Sequence, residues 1–110
     1  MTVYITQGRY SHQGLKGLVN KPEDRDAEVR KLIEGAGGKL LSYYITFGEF
    51  DFLLITEGPD PVSIFSTLAI AGAGGSVTDL RTTIGLSTAE AMRGYEMAKK
   101  GASQFRSAGT

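Results

Sequence analysis

The side chains that could do chemistry fall into three places. Asp51 follows a short turn, with Tyr44 and Thr46 on the strand before it. A two-residue turn at Gly48-Glu49 sets Asp51 opposite Thr46, with Tyr44 on the same face. Covered by a partner, such a carboxylate can act as a base or a ligand. The alternative is that it accepts hydrogen bonds from Thr46 or the turn amides and pins the hairpin, as short polar residues beside turns commonly do. Arg81 lies in a later strand and alternates onto one face with Asp79. Its guanidinium can hold a carboxylate or phosphate through two parallel bonds, or pair with a neighbouring charge. His12, the one histidine, titrates near neutrality, but no sequence neighbour orients it, and a solvated loop histidine is the plainer reading. The candidate catalytic set is therefore His12, Asp51 and Arg81, and the candidate ligand-binding set is Tyr44, Thr46, Asp51 and Arg81.

Composition narrows the chemistry. There is no cysteine, which removes disulfides, zinc–thiolate sites, iron–sulfur clusters and thiol nucleophiles. A single histidine removes a multi-histidine metal site within one chain. A metal would need Asp, Glu or Tyr oxygens, and no spacing specifies such a set. Gly72-Ala73-Gly74-Gly75 lacks the Lys-Ser/Thr of a phosphate loop and follows a helix instead of opening one, so it reads as a helix stop. No motif specifies a cofactor. Twelve basic and twelve acidic residues leave no net charge, which disfavours nucleic-acid binding and favours self-association. No basic leader precedes the first strand and no apolar run reaches the length of a membrane helix, so the expectation is a cytoplasmic protein with no membrane contact.

The elements that must position these residues follow from pattern. Val3–Tyr10 is rich in β-branched and aromatic residues and reads as a strand. Leu15, Leu18 and Val19 suggest a short helical turn in the connection that follows. Pro22, Glu23 and Asp24 then suit a helix start, and Val29, Leu32, Ile33 and Ala36 repeat as one buried stripe. Lys39–Phe47 and Phe50–Thr56 form a hairpin that pairs Phe47 with Phe50, Ile45 with Phe52 and Tyr43 with Leu54. Asp60-Pro61 caps a second helix with Ile64, Phe65, Leu68 and Ala69 inward, and Val77–Ile84 is a fourth strand. Ser87-Thr88-Ala89-Glu90 is a capping box that opens a C-terminal helix. The order is that of an α+β ferredoxin-like βαββαβ sandwich with an added C-terminal helix. The expected division is residues 1–86 for the domain and 87–110 for the helix and a frayed tail.

Two helices can cover only one face of a four-stranded sheet. In strands two and three one face carries Leu41, Tyr43, Ile45, Phe47, Phe50, Phe52 and Leu54, and the other still carries Leu40, Tyr44, Leu53 and Ile55. A second face this apolar suits another sheet, which predicts a homodimer or larger oligomer built face to face. The C-terminal helix places Ala91, Tyr95, Ala98, Ala102 and Phe105 at heptad-like spacing, fit to seat on its own domain or on a neighbour.

Four stretches in this order resemble one family: Tyr10-Ser11-His12-Gln13-Gly14-Leu15-Lys16, Gly37-Gly38-Lys39-Leu40, Gly48-Glu49-Phe50-Asp51-Phe52 and Leu80-Arg81-Thr82-Thr83. They are similar to GYD domain proteins, small bacterial proteins of uncharacterised function, over roughly Val3 to Glu90. The resemblance implies a dimeric α/β barrel and supplies no reaction. The family's hairpin signature, Gly-x-Tyr-Asp, has Phe50 in place of its tyrosine here, which keeps an aromatic ring and removes a hydroxyl.

Three functional readings follow. The first is a homo-oligomeric small-molecule-binding or interaction module. The second, by fold analogy and on the side chains Tyr44, Asp51, Arg81 and His12, is a small cofactor-free enzyme of monooxygenase or isomerase type. The third is a structural assembler in which the C-terminal helix joins dimers.

Overall fold

A computed structural model describes all of residues 1–110. Strands β1 (Thr2–Tyr10), β2 (Lys39–Ile45), β3 (Phe52–Gly58) and β4 (Val77–Gly85) form one antiparallel sheet in the order β2-β3-β1-β4. This is the strand order of the expected ferredoxin-like sandwich. Helices α1 (His12–Asn20), α2 (Asp26–Gly35) and α3 (Pro61–Ala73) lie against one face, and α4 (Thr88–Gly101) follows the last strand.

Helix α1 is a full helix, longer than the single turn its sequence suggested. Ser11 caps it by accepting from the Gly14 amide at 3.0 Å, and the Ser11 hydroxyl donates to the Gly75 carbonyl at 2.6 Å. Gly14 lets the helix approach closely, because a Cβ there would collide with the Ser76 carbonyl oxygen. Helix α2 starts at Asp26, later than Pro22, since the Asp24 carboxylate accepts from the Asp26 amide at 2.9 Å and ends the preceding turn. Asp60 caps α3 by accepting from the Ser63 amide at 2.8 Å, and both halves of the Ser87/Glu90 capping box form on α4.

Tyr4, Ile33, Leu40, Phe52, Leu54 and Ile64 make the core. Two local features redirect side chains. A bulge between Leu40 and Ser42 rotates the start of β2, so Leu40 faces the helices with Leu54 and Phe52, while Leu41 turns outward. On α3 the inward residues include Ile64 and Thr67, and Phe65 faces solvent. Thr67 tolerates burial because its hydroxyl donates to the Ile64 carbonyl at 2.7 Å.

Helix α4 buries no residue, and its main neighbour is the 3-10 turn Ala102–Gln104 that continues it. Phe105 is extended, so the heptad-like stripe stops before its last member. The radius of gyration is 17.9 Å, against about 13 Å for a compact chain of this length. The longest dimension is 60 Å, as α4 stands away from the domain.

Candidate functional site between the helices and the sheet

The candidate residues do not converge on one place. Asp51 ties the hairpin to β1. Its amide donates to the Gly8 carbonyl at 2.8 Å and its carboxylate accepts from the Tyr10 amide at 2.9 Å. Thr46 closes the loop, its amide donating to the Asp51 carbonyl at 2.8 Å and its hydroxyl to the Phe50 carbonyl at 2.7 Å. Tyr44 is exposed on the sheet face away from the helices. His12 is exposed at the first position of α1.

Arg81 is exposed, its guanidinium 5.7 Å from the Phe50 ring centre. Arg9, which the sequence did not single out, lies over the same ring at 4.8 Å. It also donates to the Glu49 carbonyl at 2.8 Å and pairs with Asp79 at 3.5 Å. Asp79 therefore pairs with Arg9. It sits at a bulge opposite β1, with a positive φ of 53°. Phe50 thus turns to the two arginines on the open face instead of joining Phe52 beneath the helices. A ring held by cation–π contact needs no hydroxyl, which suits phenylalanine at this position.

The concavity lies on the other side of the sheet. A cavity of about 820 Å³ lies among α1, α2, α3 and the sheet. That volume falls in the range of small-molecule sites, roughly 300–1,000 Å³. Its floor is aromatic and aliphatic: Tyr10, Tyr43, Phe52, Leu54 and Leu80. Val29 and Leu32 on α2 and Leu68 and Ala71 on α3 make the walls. Exposed Lys21, Glu23, Arg25 and Glu28 border it at the connection between α1 and α2, where Arg25 pairs with Glu23 at 3.0 Å.

Gly8 shapes the floor. A Cβ at this position would come within 2.5 Å of Phe52 Cζ and 2.8 Å of Leu80 Cδ2, so both side chains close over a bare stretch of backbone. Phe52 then packs at a tilt against Tyr10, ring centres 5.4 Å apart. Tyr43 faces the same space. Burial, first, and then the neighbouring Tyr10 hydroxyl push the Tyr43 phenol above its ordinary pKa, with the Arg25 charge opposing them. The threonines in the lining are already committed, Thr6 to Thr82 at 2.9 Å and Thr67 to the helix backbone. The two phenols were missed because each tyrosine sits on an otherwise apolar strand face, where it reads as packing. Their shared face was the one available signal.

No group of three or more His, Cys, Asp and Glu side chains is placed to hold a metal ion. No helix is long and apolar enough to cross a membrane.

Fold and site together define a single-sheet α+β protein of ferredoxin-like topology with a hollow between its layers. The family model of the GYD domain matches residues 4–95, and the chain belongs to the GYD domain family, a family of uncharacterised function. Among solved structures, one titled "crystal structure of FFRP-DM1" is similar at 12% identity and a TM-score of 0.49, covering 78% of this chain and 100% of that one. None of the curated proteins matches.

Proposed function

We propose that the protein is a homo-oligomeric binding module that takes a small, mainly apolar molecule into the cavity between its helices and its sheet. The observation that carries this reading is the cavity itself. A domain of 110 residues has little core to spare, yet Val29, Leu32, Leu68 and Leu80 all line one open space. Voids of this size are not a normal feature of a packed interior. Filling one with apolar ligand surface removes it from water at about 25 cal/mol per Å².

Self-association is supported by what the chain leaves uncovered. Tyr44 lies on the outer sheet face, Phe47 at the hairpin tip is fully exposed, and Met92, Tyr95 and Met97 stand on a helix that buries nothing. Isolated helices of about this length are marginal in water, so α4 gains from a second copy of the chain. This favours assembly as a companion to binding. His12, Asp51 and Arg81 do not come together, so the enzymatic alternative rests on fold analogy alone.

Native mass spectrometry of the full chain, under conditions that retain small ligands, tests the reading. A dimer or larger species carrying an added small mass is expected. A bare monomer that no small apolar compound stabilises against heat would contradict it.

A further inference from the structure

We infer that two copies of the chain pair through α4, the helices running antiparallel so that Tyr95 of each lies over Ala98 of the other. The inference rests on the self-association reading and names its surface and orientation. Helix α4 has 14 residues and buries none of them. Ala91, Tyr95, Ala98 and Ala102 recur along one side of it, with Met92 beside them. Tyr95 is 69% exposed and Met92 55%. Gly94 and Gly101 border the same stripe, and nothing beyond the helix's own backbone comes within 4 Å of where their side chains would begin. Such glycines weaken a lone helix but let a second one approach closely.

Two independent patterns set the occupant and its direction. The first is charge. Glu90 stands in the first turn of α4, and Lys99 and Lys100 stand in the last. Up to Glu96 the helix carries Glu90, Arg93 and Glu96, whereas beyond it Lys99, Lys100 and Arg106 have no acid among them. The helix is therefore complementary to its own reverse. An antiparallel copy sets the acidic end of each beside the basic end of the other and opposes the two helix dipoles. A parallel copy sets like charges side by side.

The second pattern is size. A two-fold axis across α4 brings Ala91 to the partner's Ala102 and Tyr95 to the partner's Ala98, so each large ring meets a small side chain. Parallel helices would stack ring on ring at Tyr95 and leave Ala98 facing Ala98, with a gap between them.

The natural chain has no cysteine, so single cysteines report the pairing without background. Full-length Ala91→Cys and Ala102→Cys are produced separately and by co-expression, then treated with a short bis-maleimide. In the antiparallel pair each residue is eleven positions from its own copy, about 16 Å along the axis, and next to the other variant's cysteine. A cross-linked dimer is expected from the co-expressed chains and is expected to be absent from either variant alone. Native mass spectrometry of the same samples reads the oligomer. Cross-linking of each variant with itself would show parallel helices and overturn the inference. An oligomer that yields no cross-linked product would also overturn it, and would leave self-association to another surface. A monomer with no cross-link would overturn the self-association reading, and the inference with it.

Discussion

The Asp51 carboxylate stands in for a strand. The β1–β3 ladder stops at Gly8 and Phe52, and two residues further on the Tyr10 amide donates 2.9 Å to Asp51 Oδ2 instead of to a backbone carbonyl. One side chain thereby holds the end of β1 against the hairpin and fixes where the Tyr10 ring enters the cavity. Removing the carboxylate leaves a partly buried amide without its charged acceptor. Asp51→Ala is expected to cost about 1.5–3 kcal/mol, and Asp51→Asn less, because the amide oxygen still accepts. Chemical denaturation measures both, and equal stability of Asp51→Ala and the wild type would refute the tie.

Gly8 is expected to tolerate no side chain without loss. A methyl group would displace Phe52 and Leu80, which meet over it. Gly8→Ala should destabilise by about 1–3 kcal/mol, the usual cost of overpacking. A crystal structure of the variant should show the displaced Phe52 ring narrowing the cavity.

The alkaline limb of stability should report Tyr43. Its folded pKa is raised, chiefly by burial and next by Tyr10, so the folded state favours the neutral phenol. The associated stability is fully present below the unfolded value, about pH 10. It is lost as pH rises from there through the higher folded value. Melting temperature should therefore fall more steeply above about pH 10 in the wild type than in Tyr43→Phe. Parallel curves would show that the phenol is solvated.

Helix α4 should matter for assembly and not for the fold. It buries no residue, so ending the chain at Leu86 is expected to shift domain stability by no more than about 0.5 kcal/mol. Light scattering of the same variant should show a smaller oligomer. An unchanged mass would assign self-association to the open sheet face alone.

Much of the fold is legible in the chain because its signals are local. Asp60-Pro61, the Ser87–Glu90 box and the stripe Val29, Leu32, Ile33, Ala36 each specify an element by neighbours a turn away. The pairs Ile45–Phe52 and Tyr43–Leu54 hold in the sheet as the hairpin pattern implies, but the strands stop there, and Phe47 and Phe50 lie unpaired in a longer connection. What escapes the pattern is set by single insertions and by distance. One extra residue at Leu41 exchanges the faces of Leu40 and Leu41, which strict alternation assigns the other way round. Hydrophobic spacing marks Leu32 and Leu68 as inward, but it does not say how fully the helices fill the space above the sheet. The cavity is the space they leave, so Tyr10 and Tyr43 are legible as core residues and not as a site. Arg9 escapes for a related reason, since its partners Glu49, Phe50 and Asp79 come from two other stretches of chain.

The claim that the ligand enters between helices and sheet is tested most directly by titrating tetralin, a compact bicyclic hydrocarbon, into isotopically labelled protein and following the backbone amides by NMR. The account predicts shifts clustered at Tyr10, Leu18, Val29, Tyr43, Ala71 and Leu80, which surround the cavity. Shifts confined to Ile5, Tyr44, Leu53 and Thr83 on the opposite face of the sheet would contradict it.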